Sequence, residues 1–79
     1  MKNNVKELRK AKKMTQSELA KMTNVTRQTI IAIENDKYDP SLKLAFSLAK
    51  SLNTSVDELF IFSWETSYVS WESIKIHTY

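Results

Sequence analysis

Glycine is absent from all 79 residues, and proline occurs once, at Pro40. Turns must therefore be made by Asn, Asp, Ser and Thr, which occupy or cap non-helical positions. These residues recur at regular intervals and divide the chain into short helical segments. Asn3 or Asn4 caps a first helix over about Asn4–Lys12, with Val5 and Leu8 inward. Thr15-Gln16-Ser17-Glu18 has the form of a capping box, in which the Thr hydroxyl meets the N3 amide and the Glu reaches back to the cap. It starts a second helix that ends near Thr23, with Leu19 and Ala20 inward.

Asn24-Val25 makes a short turn, where asparagine takes the left-handed conformation in place of glycine. Thr26 caps a third helix, in which Ile30 and Ile33 share one buried face, and Asn35-Asp36 ends it. Asp39-Pro40-Ser41 opens a fourth, with Leu42, Ala45, Leu48, Ala49 and Leu52 at helical spacing, and Asn53 stops it. Ser55-Val56-Asp57-Glu58 repeats the capping-box pattern and opens a short fifth helix through Leu59 and Phe60. The expected fold is all-α: a compact five-helix domain over residues 1–60 with a C-terminal extension over 61–79.

The extension reads differently. "SWET" at Ser63 is weakly repeated as "SWES" at Ser70, and Ile74 to Tyr79 alternates like a strand. Trp64, Tyr68 and Trp71 fall at helical spacing, but aromatic and β-branched residues dominate, so extended or β structure is expected. The segment is apolar enough to pack on something, a second subunit or the core.

Charge points outward. The net charge is +3, and Lys2, Lys6, Arg9, Lys10, Lys12 and Lys13 crowd the first thirteen residues, opposed there only by Glu7. Such a surface suits nucleic acid or an anionic membrane, or is a solvated helix face. No apolar run approaches the ~20 residues of a membrane span, and the N-terminus lacks the apolar stretch of a signal peptide. A cytoplasmic protein is expected. There is no cysteine, one histidine (His77, in the tail), no glycine-rich phosphate loop and no supported carboxylate pair, so neither an enzyme nor a cofactor or metal site is expected.

The second and third helices are joined by very few residues, which is the arrangement of a helix-turn-helix. The motifs "TQSELA" at Thr15–Ala20, "NVTRQTI" at Asn24–Ile30, "IEND" at Ile33–Asp36, "DPSLKLA" at Asp39–Ala45 and "VDELF" at Val56–Phe60 follow in order. In these the chain resembles the lambda-type repressor and Cro family, also called the xenobiotic-response-element family. The resemblance covers nearly all of residues 3–60. It implies a five-helix, lambda-repressor-like DNA-binding domain, usually a dimer, in a bacterium or phage. Asn24 and Asp36 stand where many members carry glycine, and both tolerate positive φ at some cost. The tail from Ile61 has no counterpart in the common pattern.

The implied function is sequence-specific binding of double-stranded DNA by a homodimeric transcriptional regulator, a repressor, at a palindromic operator. The recognition helix, about Thr26–Asn35, would lie in the major groove with its first turn at the base edges. Arg27 can bridge guanine O6 and N7, and Gln28 can pair with adenine N6 and N7. Thr29, Ile31 and Ala32 complete the expected base-contacting set, an isoleucine there being suited to a thymine methyl. Expected phosphate contacts are Thr15, Gln16, Thr26, Asn35, Lys37, Tyr38, Ser41 and Lys43, of which Gln16 matches a family residue that touches the backbone. Arg9 and Glu34 match a family ion pair that orients the reading helix. Leu59, Phe60, Phe62 and Trp64 are the expected dimerisation anchors. The competing reading is a protein-interaction module or antitoxin that uses the same fold and the aromatic tail to bind a protein.

Overall fold

The structure, a computed structural model, describes residues 2–61. It contains the five helices: α1 Val5–Ala11, α2 Gln16–Thr23, α3 Arg27–Glu34, α4 Leu42–Ser51 and α5 Val56–Leu59. Two short strands are added, β1 Lys2–Asn3 and β2 Phe60–Ile61, paired antiparallel with Lys2 opposite Ile61 and Asn3 opposite Phe60.

Four helices start on a hydroxyl. Thr15, Thr26, Ser41 and Ser55 have extended backbones, and each side chain accepts a hydrogen bond from the amide three residues on. Each such cap contributes about 1 kcal/mol. The Thr15 box is complete: the Thr15 amide donates to Glu18 Oε1 at 2.9 Å and the Glu18 amide to Thr15 Oγ1 at 3.0 Å. At Ser55 the reciprocal half takes another form, with the hydroxyl itself donating to Glu58 Oε1 at 2.9 Å. The N-cap of α1 is Asn4, but the capping oxygen comes from Asn3, which accepts from the Val5 amide at 3.0 Å.

The helix ends explain how the chain does without glycine. Lys13, Asn24, Asp36 and Asn53 all have φ between 55° and 59°. After each, the next amide reaches back to a carbonyl in the last turn of the helix: Met14 to Arg9, Val25 to Ala20, Lys37 to Ala32 and Thr54 to Ala49. This is the Schellman closure, normally built on glycine. Three of the four positions hold Asn or Asp, the side chains best able to occupy it. Lys13 carries no such signal in the sequence.

The core is formed by Val5, Leu19, Ile30, Ile33, Leu48, Leu52 and Leu59, none more than 2% exposed, with Phe60 at 3%. The second helix packs on both α3 and α4. Three sequence expectations change here. Leu42 is 70% exposed, because it occupies the first turn of α4 on the outer face, and Leu44 takes the core position. Phe60 leaves the helix and begins β2. Leu59 and Phe60 are consumed by the core of the single chain, so their side chains have almost no surface left for a second subunit. The other expected anchors, Phe62 and Trp64, lie outside the described residues, as do His77 and the alternating segment Ile74–Tyr79.

The N-terminal asparagines tie the two ends of the domain together. The Asn4 amide donates to Leu59 O at 2.8 Å, and Asn4 Nδ2 donates to Glu58 O at 3.1 Å. Asn3 Nδ2 donates to Ile33 O at 2.8 Å, which anchors the end of α3 as well.

Candidate nucleic-acid interface

The geometry of α3 follows from its sequence. Ile30 and Ile33 are fully buried and fix one face of the helix to the core. Thr26 Oγ1 accepts from the Thr29 amide at 3.2 Å and lies 3.0 Å from Thr29 Oγ1, so the first turn is closed by its own hydroxyls. Arg27 and Gln28 are exposed on that turn, while Thr29, Ile31 and Ala32 are half-buried. Ile31 is thus less open than an outward-facing position suggests.

The far end of α3 is held by a buried ion pair. Arg9 Nε donates to Glu34 Oε2 at 2.7 Å and Nη2 to Glu34 Oε1 at 3.3 Å. The two side chains are only 9% and 2% exposed. A charge in such a place needs every polar atom satisfied. Arg9 Nη1 also donates to Met14 O at 2.7 Å, and Gln16 Nε2 donates to Glu34 Oε1 at 3.1 Å. Glu34 on α3 therefore joins α1 through Arg9 and α2 through Gln16, and Arg9 adds the α1–α2 turn through Met14. The sequence pointed to the Arg9–Glu34 pair through the family resemblance; the Gln16 and Met14 partners carried no comparable signal. Gln16, expected at phosphate, has its side-chain amide engaged in this network.

The expected contact residues gather in three adjoining depressions. One, of about 420 Å³, brings Arg27 beside Thr15 and Gln16 at the start of α2. A second, of about 330 Å³, is lined by Gln28, Thr29, Ala32, Lys37 and Tyr38. A third, of about 460 Å³, continues from Thr29 and Tyr38 to Ser41 and Lys43 at the start of α4. Thr26, Ile31 and Asn35 line none of the three. Lys13 and Ser17 join Arg27 in the first depression and were not among the expected contacts; Lys13 is carried there by the left-handed turn that ends α1. The α1 lysines Lys6 and Lys10 do not line these depressions.

Electrostatics separate the two helices of the motif. Helix α3 has no acidic residue in its first turn, whereas α2 has Glu18. The Thr15 backbone amide, and after it the Thr15 side chain, hold the Glu18 carboxyl below its usual value of 4.5. Among the described residues, no cluster of His, Asp or Glu could hold a metal ion, and no helix is long and apolar enough to cross a membrane.

The comparisons with known proteins agree with this arrangement. The helix-turn-helix family model matches residues 5–59. An uncharacterized HTH-type transcriptional regulator of Methanocaldococcus jannaschii is 53% identical over 62 residues, which is 78% of this chain and 94% of that protein. The immunity repressor protein of Bacillus phage phi105 is 36% identical over 55 residues, 70% of this chain and 38% of the repressor. Relatives thus occur in archaea as well as in phage, a wider range than the bacterial or phage source that the motifs imply. Among solved structures, the restriction-modification controller protein C.AhdI from Aeromonas hydrophila matches with a TM-score of 0.68 at 32% identity, covering 72% of this chain and 86% of that one. A chain of the SinR protein/SinI protein complex matches with a TM-score of 0.69 at 28% identity, covering 95% of this chain and 74% of that one. With five helices among the described residues, a helix-turn-helix from α2 to α3 and relatives named as transcriptional regulators, the protein is not an enzyme, and it belongs to the Cro/C1-type helix-turn-helix family of transcriptional regulators.

Proposed function

We propose that the chain is a cytoplasmic, sequence-specific repressor that binds double-stranded DNA as a homodimer, with α3 in the major groove. The observation that carries this is the two-sided character of α3. Ile30 and Ile33 are sealed in the core, while Arg27 and Gln28 stand exposed on a first turn free of acid. Arginine and glutamine are the side chains that read guanine and adenine bidentately. Thr29, Ile31 and Ala32 follow them along the groove, Ile31 against a thymine methyl.

The phosphate contacts come from both sides of α3. Thr15 and Gln16, at the start of α2, meet a phosphate next to Arg27, with which they share a depression. Thr26, Asn35, Lys37, Tyr38, Ser41 and Lys43 flank the helix and fix the register of the domain on the duplex without reading sequence. Residues 1–60 constitute the DNA-binding domain, and residues 61–79 form a C-terminal extension that serves dimerisation or covers the core. One domain covers one half-site, so two copies are needed about 34 Å apart on the DNA.

Selection of bound duplexes from a random pool tests this reading. A palindromic consensus with half-sites one helical turn apart is expected. A pool that shows no enrichment after repeated rounds overturns it.

A further inference from the structure

We propose that Lys13, in the turn between α1 and α2, is a DNA phosphate contact held in fixed register with Arg27 of the reading helix. The inference rests on the DNA-binding reading and adds to it a residue that the sequence did not single out. Six basic residues crowd the first thirteen positions. Of these, only Arg9 and Lys13 line the depression of about 420 Å³ that holds Arg27. Arg9 is committed to Glu34, at 2.7 Å. Lys13 and Arg27 are both exposed, and no carboxylate lines the depression. Like charges that share a recess repel each other unless an anion lies between them. Thr15 and Gln16, polar side chains of the kind that bond phosphate oxygens, line the same recess. On a duplex the anion that fits there is a backbone phosphate.

The backbone holds Lys13 in this place. Its φ is 55°, in the left-handed region, and the other such positions among the described residues are filled by Asn24, Asp36 and Asn53. A lysine bears that conformation at greater cost than Asn or Asp, whose short side chains bond locally. The turn is closed on both sides. The Lys13 amide donates to Lys10 O at 2.9 Å, and the Met14 amide donates to Arg9 O at 3.1 Å. Arg9 Nη1 returns a bond to Met14 O at 2.7 Å, while Arg9 Nε holds Glu34 on α3. One arginine thus fastens the Lys13–Met14 turn and the reading helix to each other. A phosphate bound by Lys13 is thereby placed relative to Arg27, as a register-fixing contact must be. Lys6 and Lys10, on α1 itself, do not line the recess.

Titration of the full chain with a random-sequence duplex at several salt concentrations tests the proposal, since a phosphate contact acts on any sequence. Lys13→Asn removes the charge and keeps a residue suited to positive φ. Its plot of log affinity against log salt should be shallower than the wild-type plot by about 0.9, the release of one counterion. The wild-type advantage should accordingly shrink about threefold between 50 mM and 200 mM salt. Lys13→Arg should restore the wild-type slope. The melting temperature of Lys13→Asn should be no lower than that of the wild type, which separates a lost contact from a lost fold. Lys6→Gln removes the same unit charge outside the recess and should keep the wild-type slope. An unchanged slope in Lys13→Asn overturns the proposal. Equal flattening in Lys6→Gln overturns it as well, because the effect would then be one of net charge. A wild-type chain that binds no duplex removes the DNA-binding reading and this proposal with it. A wild-type chain that binds, and whose slope Lys13→Asn shares, removes this proposal alone.

Discussion

Helices α2 and α3 are each eight residues long, and each starts from an extended threonine whose hydroxyl accepts a bond from the amide three residues on. They differ in what occupies that third position. In α2 it is Glu18, which completes the capping box and sets a negative charge at the positive end of the helix dipole. Lys21 complements the other end. In α3 the third position is Thr29, and neither an acidic first turn nor a basic last turn is present. Its last turn even carries Glu34, the wrong sign for a helix C-terminus.

What α3 lacks locally it obtains from the rest of the domain. Ile30 and Ile33 are buried, Arg9 and Gln16 bind Glu34, and Asn3 binds the Ile33 carbonyl. The difference is between a helix stabilised by its own sequence and one stabilised by its neighbours. The second arrangement leaves the first turn of α3, where Arg27 and Gln28 stand exposed, free of negative charge.

The largest effect should come from the support of α3. Arg9→Ala leaves the Glu34 carboxylate buried without its cation, and breaking one side of such a pair costs about 3–5 kcal/mol. Chemical denaturation gives the value directly. A loss below about 1 kcal/mol, the range of an exposed pair, would mean that α3 does not lean on this contact and that the contrast with α2 is overstated.

The display face should respond in the opposite way. Arg27→Ala and Gln28→Ala should each weaken specific DNA binding by about 1–3 kcal/mol and relax preference at one base pair per half-site. Both side chains are exposed, so folding stability should change by no more than about 0.5 kcal/mol. Equal losses on specific and random duplexes would make them phosphate contacts, a role already suggested for Arg27 by its place beside the α2 N-terminus.

The same contrast explains how much could be read before the fold was known. Caps are local, and the Thr15, Thr26, Ser41 and Ser55 starts were all legible, as were the left-handed ends at Asn24, Asp36 and Asn53. Lys13 was not, because nothing in a lysine announces positive φ; the closure is imposed by Met14 reaching Arg9. The strands β1 and β2 are two residues each, too short to show alternation, and their pairing spans the whole domain. Leu42 has the right spacing for the core but falls in the first turn of α4, where one residue of phase decides which face it takes. The Gln16–Glu34 bond is a tertiary contact between helices, invisible to any periodicity.

A smaller effect is expected from making α3 resemble α2. Thr29→Glu supplies the missing acid at the third position and should stabilise the folded domain by about 0.3–1 kcal/mol. It should also weaken DNA binding, because the new carboxylate shares a depression with Gln28 and Lys37. Thermal melts and an operator titration on the same variant separate the two effects. Stabilisation without loss of affinity would show that the acid-free first turn of α3 has nothing to do with its ligand.

The smallest effect is the acid sensitivity of α2 itself. The folded Glu18 carboxyl titrates below its usual 4.5, held down first by the Thr15 backbone amide and then by the Thr15 side chain. The unfolded chain therefore binds more protons in that window, and stability rises with pH across it. The contribution is fully present above 4.5 and is lost as pH falls through the lower folded value. Glu18→Gln keeps a group able to accept from the cap amide but removes the titration. Its stability should accordingly fall less steeply than that of the wild type once pH drops below 4.5. Wild-type α3 has no counterpart to this group; the Thr29→Glu variant would create one, and its acid limb should steepen. Melting temperatures measured from neutral to acid pH on all three proteins provide the check. Parallel acid limbs for wild type and Glu18→Gln would show that the α2 box holds by geometry alone, and the charge at its third position would no longer distinguish the two helices.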